Sequence, residues 1–322
     1  MNKRYTGRPS LKWLFEDADP NKIPNDKFPM QLSAVKAELA KQLATSGADD
    51  KDKGNQDDVV GVNKASFACS ELAPSQTSMN IDKAWQFALS MMNGSMPGSG
   101  GPGGDLNSFI SNDNYIMDGH HRWIATGMVD PNAQLTGFKV NLPGQKLVAV
   151  LNTVTKGLLG IEAGNPATGG FDQFKNAAAV KAALERQLGG QAGKTQGPIG
   201  GDQSPEGVKN VLIKWTGVND PNTVVDAAVQ KVVANLQPLL AKPLMPNAPG
   251  REDMPVIDDQ KAAGATAKTV KALQQGEIDL NPPFSTEESG AASEEKKEEP
   301  QVVKESAWSV DRWQVLAGIR KR

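Results

Sequence analysis

Between residues 115 and 125 a short apolar run, Tyr115-Ile116-Met117, enters Asp118-Gly119-His120-His121-Arg122 and leaves as an apolar pattern at helical spacing. This stretch constrains the fold more than any other, because it specifies a strand, a tight turn and the first turn of a helix within eleven residues. Gly119 supplies backbone angles that side-chain-bearing residues resist. His120 and His121 are the only histidines in the chain, and they are neighbours. A helix start also presents unpaired N–H groups and the positive end of the helix dipole, which together form a site for an anion.

Composition sets bounds on what surrounds this junction. The 322 residues suit one large domain or two small ones, and 32 glycines and 21 prolines imply long loop or linker segments around one core. The formal net charge of −2 provides no overall basic field for nucleic acid. The single cysteine, Cys69, excludes an internal disulfide and a cysteine-rich zinc module, and it reads as a small core residue on its strand. No apolar run approaches the roughly 18 residues of a membrane span. The opening Met1-Asn2-Lys3-Arg4-Tyr5 lacks the apolar region of a secretory signal. A soluble protein without a membrane partner, located in the cytoplasm, is expected.

Taken in order, the chain divides into five parts. Residues 1–58 read as a proline-rich arm, an amphipathic helix over 31–45 carrying Leu32, Val35, Leu39 and Leu43, and a polar linker. Residues 59–155 read as an α+β domain. Its strands are expected at 59–62 and 65–69, and Pro74 bars a central strand from continuing. Asn80 is the expected N-cap of a helix over 81–92. A glycine-rich loop covers 94–104, and a hairpin turns at Ser111-Asn112-Asp113-Asn114. The junction motif then opens a helix over 122–128, followed by a strand over 135–142 and a helix over 147–154. Residues 156–245 form a helical accessory region, 246–305 an extended or disordered linker ending in an acidic low-complexity tail, and 306–322 an amphipathic peptide. That peptide, with Trp308, Trp313 and Leu316, would dock on a protein partner or pack on its own domain.

The Asp118-Gly119-His120-His121-Arg122 turn, preceded by a hairpin and by a strand–Pro-x-Gln–helix element, resembles the ParB/sulfiredoxin-like superfamily. It is similar to the branches described as ParB-like nucleases and free serine kinases. The resemblance covers residues 59–155 and implies a small mixed sheet with helices, in which the turn holds nucleotide phosphates. The arms, the acidic tail and the closing Trp313-Gln314-Val315-Leu316-Ala317-Gly318-Ile319 are loosely similar to proteins of large tailed phages. That likeness would place the protein in the host cytoplasm or in the virion.

Carried over residue by residue, the resemblance gives Gly119 close approach to a phosphate. It gives His120, His121 and Arg122 the role of phosphate donors, with His120, His121 and Asp118 catalytic. Asp118 would hold Mg²⁺ or stand as an acid at the dipole's positive end. Ser75 and Gln76 would contact the nucleotide, or serve as turn and capping residues. In the kinase branch a catalytic glutamate occupies the place of Gln76, and an amide cannot act as a general base. Glu71 would replace it only if the strand end turned back. The cysteine used by sulfiredoxins is replaced by His120. The loop over 94–104 lacks a Walker ending and reads as a linker or a lid. Arg251-Glu252-Asp253-Met254-Pro255 reads as an exposed charged turn rather than a segment folded back onto the site. The expected function is binding of a nucleotide (ATP, ADP or CTP, with Mg²⁺) and cleavage or transfer of a phosphate bond. The alternatives are a ParB-like nuclease acting on DNA and a non-catalytic virion protein.

Overall fold

Five strands and eight helices follow one another in the computed structural model, which describes residues 27–44, 58–166, 169–191, 202 and 204–280. The protein is an α+β fold. Strand β1 (Val62–Ala68) runs antiparallel to β5 (Gln134–Val140), from Val62 opposite Val140 to Ala68 opposite Gln134. Strand β3 (Gly104–Ile110) lies parallel to β5 on its other side, with an irregularity between Asp105 and Phe109. The short strands β4 (Tyr115–Ile116) and β2 (Ala73–Pro74) complete the order β1-β5-β3-β4-β2. Pro74 therefore sits in an edge strand, where its missing N–H interrupts no ladder on the outer side. The expected hairpin is present, with Ile110 opposite Ile116 across the 111–114 turn. In place of the two strands expected at 59–62 and 65–69 there is one, Val62–Ala68: residues 59–61 stay outside the β5 register and Cys69 starts a 3₁₀ turn.

Alternation along the strands sends apolar side chains to both faces. Phe67, Ile110 and Leu135 face one core, built with helices α2 (Ile81–Met92), α3 (His120–Val129), α5 (Ala177–Arg186), α6 (Pro205–Thr216) and α7 (Val224–Leu240). Val62, Phe109 and Val140 face the other, built with α4 (Gly144–Thr153), α8 (Ala265–Gln275), Phe28 and Leu43. The accessory helices are thus a continuation of the sheet domain's own core. Trp85 of α2 donates its indole N–H to Val180 O of α5 at 3.0 Å. Asn235 of α7 donates to Met128 O and Val129 O, satisfying carbonyls at the end of α3.

Local signals placed several elements correctly. Asn80 caps α2 by accepting the Lys83 N–H at 3.0 Å. The helix expected over 31–45 is instead a 3₁₀ turn (Leu32–Ala34) and α1 (Ala37–Leu43), broken by extended Val35 and Lys36. Leu32, Val35 and Leu43 are nonetheless buried. Helix α7 runs through Pro238 to Leu240, inside the expected helical region. So close to the helix end, a proline removes a single backbone bond. The linker expected from 246 packs into the core as far as 280. Met254, Val256, Ile257, Ala272 and Leu273 are buried there, and α8 lies against β1. The remainder of that linker, the acidic tail and the 306–322 peptide lie outside the described residues, as do most of the N-terminal arm and the linkers over 46–58 and 189–201.

Candidate functional site at the start of helix α3

Gly119 is the N-cap of α3, with φ +78°. A Cβ there would meet Leu106 Cδ2 at 3.2 Å, so both conformation and space favour glycine. The Asp118 N–H donates to Ser108 Oγ at 2.8 Å, and Asp118 Oδ1 accepts the Gly119 N–H at 2.6 Å. No side chain among the described residues caps the helix. The Trp123 N–H begins the ladder by donating to Gly119 O. The amides of His120, His121 and Arg122 are left without a hydrogen-bond partner among the described residues.

The structure brings the two imidazoles inward. His120 is 1% exposed and its Nε2 accepts the Ser75 N–H at 3.2 Å. His121 is 6% exposed and its Nε2 accepts the Asn80 N–H at 3.0 Å. An accepting Nε2 assigns the ring proton to Nδ1, so both rings are neutral in this arrangement. Burial holds the His120 pKa down to about 3, with the Arg251 charge acting in the same direction. His121 is held well below its ordinary value by burial, and then by Lys83, Arg251 and His120. The expectation that this pair donates charge to a phosphate therefore gives way to another role. The rings fasten both ends of the 75–80 segment to the start of α3, and bring the first turn of α2 beside it. His120 Nδ1 is left as a buried donor with no acceptor among the described residues.

Ser75 and Gln76 are also turned into the protein. Ser75 is fully buried and its hydroxyl donates to Ile116 O across the β2–β4 edge. The Gln76 amide donates to Ser78 O at 2.7 Å within its own turn. Glu71 accepts the Ala68 N–H, capping the turn that ends β1. Arg122 points toward the glycine-rich loop, donating to Ser99 Oγ at 2.8 Å and to Gly103 O at 3.3 Å. That bond and the buried Met96 anchor the 94–104 loop.

Two cations that sequence reasoning did not assign to the site converge on it instead. Lys83, in the first turn of α2, has its ammonium 5.5 Å from the Phe87 ring centroid and forms no ion pair among the described residues. Burial lowers its pKa, as does Arg251, while Asp118 pulls it back up. Arg251 is half-buried, and its guanidinium has no hydrogen-bond or ion-pair partner among the described residues. Asp118 reaches solvent at a shallow surface depression lined also by Asn107, Phe109, Leu151 and Ile257. Crowding by protein raises its pKa; the Gly119 N–H, Arg251 and Lys83 oppose the rise, and Asp258 adds to it. The helical spacing of Lys83 offered no signal, because its position at the site depends on the His121–Asn80 bond.

Among the described residues no group of three or more His, Cys, Asp or Glu is arranged to hold a metal ion, and no helix is long and apolar enough to cross a membrane. No protein-family model, curated protein or solved structure matches the chain.

Proposed function

We propose that the chain binds a nucleotide through its phosphates at the start of α3, on a ParB/sulfiredoxin-like sheet domain, and cleaves or transfers a phosphate bond there. One observation carries this reading: three amides without a hydrogen-bond partner stand at a helix start near two half-buried cations, Lys83 and Arg251, which form no ion pair among the described residues and have Asp118 as a nearby carboxylate. Half-buried charge without a partner is costly, and a phosphate oxygen relieves both deficits at once. The element order through residues 62–153 supports the family resemblance: edge strand with Pro74, helix, hairpin, motif helix, strand and helix.

In this reading the charge that stabilises the phosphoryl oxygens comes from backbone amides, Lys83 and Arg251. His120 and His121 are positioning residues. Asp118 is the carboxylate available to take a proton, and desolvation raises its pKa above the ordinary carboxylate value. Were Mg²⁺ to accompany the nucleotide, Asp118 would instead be the residue to hold it, and the ion would supply neutralisation of phosphate charge. Candidate nucleotides are ATP, ADP and CTP. Titration calorimetry with each, in Mg²⁺, tests the reading. Saturable binding that weakens about tenfold or more in Lys83→Ala is expected. Absence of binding to the wild type, or equal binding by the variant, would overturn it.

A further inference from the structure

The segment over 245–258 passes the start of α3 and is fastened along its length. The Met245 N–H donates to Pro74 O at 3.1 Å, and Gln145 Nε2 donates to Pro246 O at 2.8 Å. The Thr77 N–H donates to Pro249 O at 3.0 Å. Thr77 lies inside the 75–80 segment that the two histidines hold, so Pro249 is tied to the site frame two residues before Arg251. On the other side of Arg251, Asp253 O accepts from Asn152 Nδ2 at 3.2 Å, and Asp253 Oδ1 accepts the Ser33 N–H at 2.9 Å. The Val256 N–H then donates to Thr155 Oγ1 at 3.0 Å. Within this harness the Arg251 guanidinium forms no hydrogen bond or ion pair among the described residues, while its neighbours Met254, Val256 and Ile257 are buried.

Backbone fixed on both sides of an unpaired, half-buried guanidinium is the arrangement of a residue pre-organised for a partner outside the chain. The guanidinium that the motif itself carries, Arg122, is committed to Ser99 and Gly103. We propose that Arg251, delivered from outside the sheet domain by this strap, is the arginine that contacts the bound phosphate, and that Arg122 is a positioning residue for the 94–104 loop. The proposal rests on the phosphate-binding reading above. It makes the accessory segment part of the ligand site: a sheet domain without the strap would hold an incomplete phosphate cradle.

The probe is inorganic tripolyphosphate with Mg²⁺, titrated calorimetrically into the full chain and into Arg251→Ala, Arg251→Lys and Arg122→Ala, with each variant's thermal midpoint measured alongside. Arg251→Ala is expected to keep the wild-type midpoint, since its side chain makes no internal bond, and to lose about tenfold or more in affinity. Arg251→Lys should recover part of that loss, because charge returns without the planar fork. Arg122→Ala should retain affinity to within about threefold. Wild-type binding with undiminished affinity in both Arg251 variants would overturn the assignment of Arg251 while leaving phosphate binding intact. No binding by the wild type would overturn the phosphate reading and this inference with it. Should Arg251→Ala fail to fold, Arg251→Lys decides alone: unchanged affinity contradicts the proposal and weakened affinity supports it.

Discussion

His120 and His121 are the residues whose chemistry departs most from what their spacing suggests. Adjacent imidazoles at a helix start read as donors to a phosphate, yet each ring accepts a backbone N–H through Nε2 and is buried. The consequence is a pH dependence of stability with a definite sign. Both folded-state pKa values lie below the ordinary histidine value. Their contribution is therefore fully present above about pH 6.5 and is lost as pH falls through that value toward the folded ones. His120 should cost roughly 2 kcal/mol of stability between pH 7 and pH 5, and His121 should add a loss in the same direction. Asp118, with a raised folded pKa, works in the opposite direction, since its protonation favours the folded state. Urea midpoints at the two pH values, for wild type and His121→Gln, measure the effect. A glutamine oxygen can still accept the Asn80 N–H without titrating, so the variant should lose less on acidification. Equal losses would show that His121 does not reside as a buried neutral ring. The Asp-Gly turn was legible because Gly119 acts locally; the ring partners were not, because Ser75 and Asn80 lie some forty residues away in sequence.

Helix α3 presents its amino end to the site because its other end is held. Asn235 of α7 supplies two hydrogen bonds to the terminal carbonyls, and Gly127 lets Leu239 approach so closely that an added Cβ would lie 2.2 Å from Leu239 Cδ2. Asn235→Ala leaves both carbonyls without that donor and should cost about 1–3 kcal/mol, lowering the thermal midpoint by several degrees. An unchanged midpoint would mean that the cap contributes nothing to holding α3. Elements with local punctuation could be read from the chain: Asn80 as a cap, the 111–114 turn, the helical stripe of Val225, Val229, Val232 and Leu236. Elements whose order comes from distant partners could not. Residues 246–258 carry prolines and charges that read as linker, and they are ordered by Pro74, Thr77, Asn152 and Thr155 from other parts of the fold. Pro238 reads as a helix stop, although α7 tolerates it in its last turn.

At the scale of the molecule, one sheet is covered on both faces, and its two cores converge on the start of α3. The first core supplies α2 with Lys83; the second supplies the segment that carries Arg251. The α+β class and the mixed sheet were readable from the order of apolar runs and turns. The integration of the accessory helices was not, because an amphipathic stripe does not name the surface that it covers. The chain's near-neutral charge also hides a local concentration of cations, since a sum over 322 residues carries no position. The central claim is that phosphate oxygens meet the amides of His120, His121 and Arg122 together with Lys83 and Arg251. Backbone-amide NMR of the full chain, titrated with tripolyphosphate and Mg²⁺, tests it most directly. The account predicts saturable shifts centred on residues 119–122, with smaller ones at 81–83 and 250–252. Saturable shifts that leave residues 119–122 unmoved, or none anywhere at millimolar ligand, would contradict it.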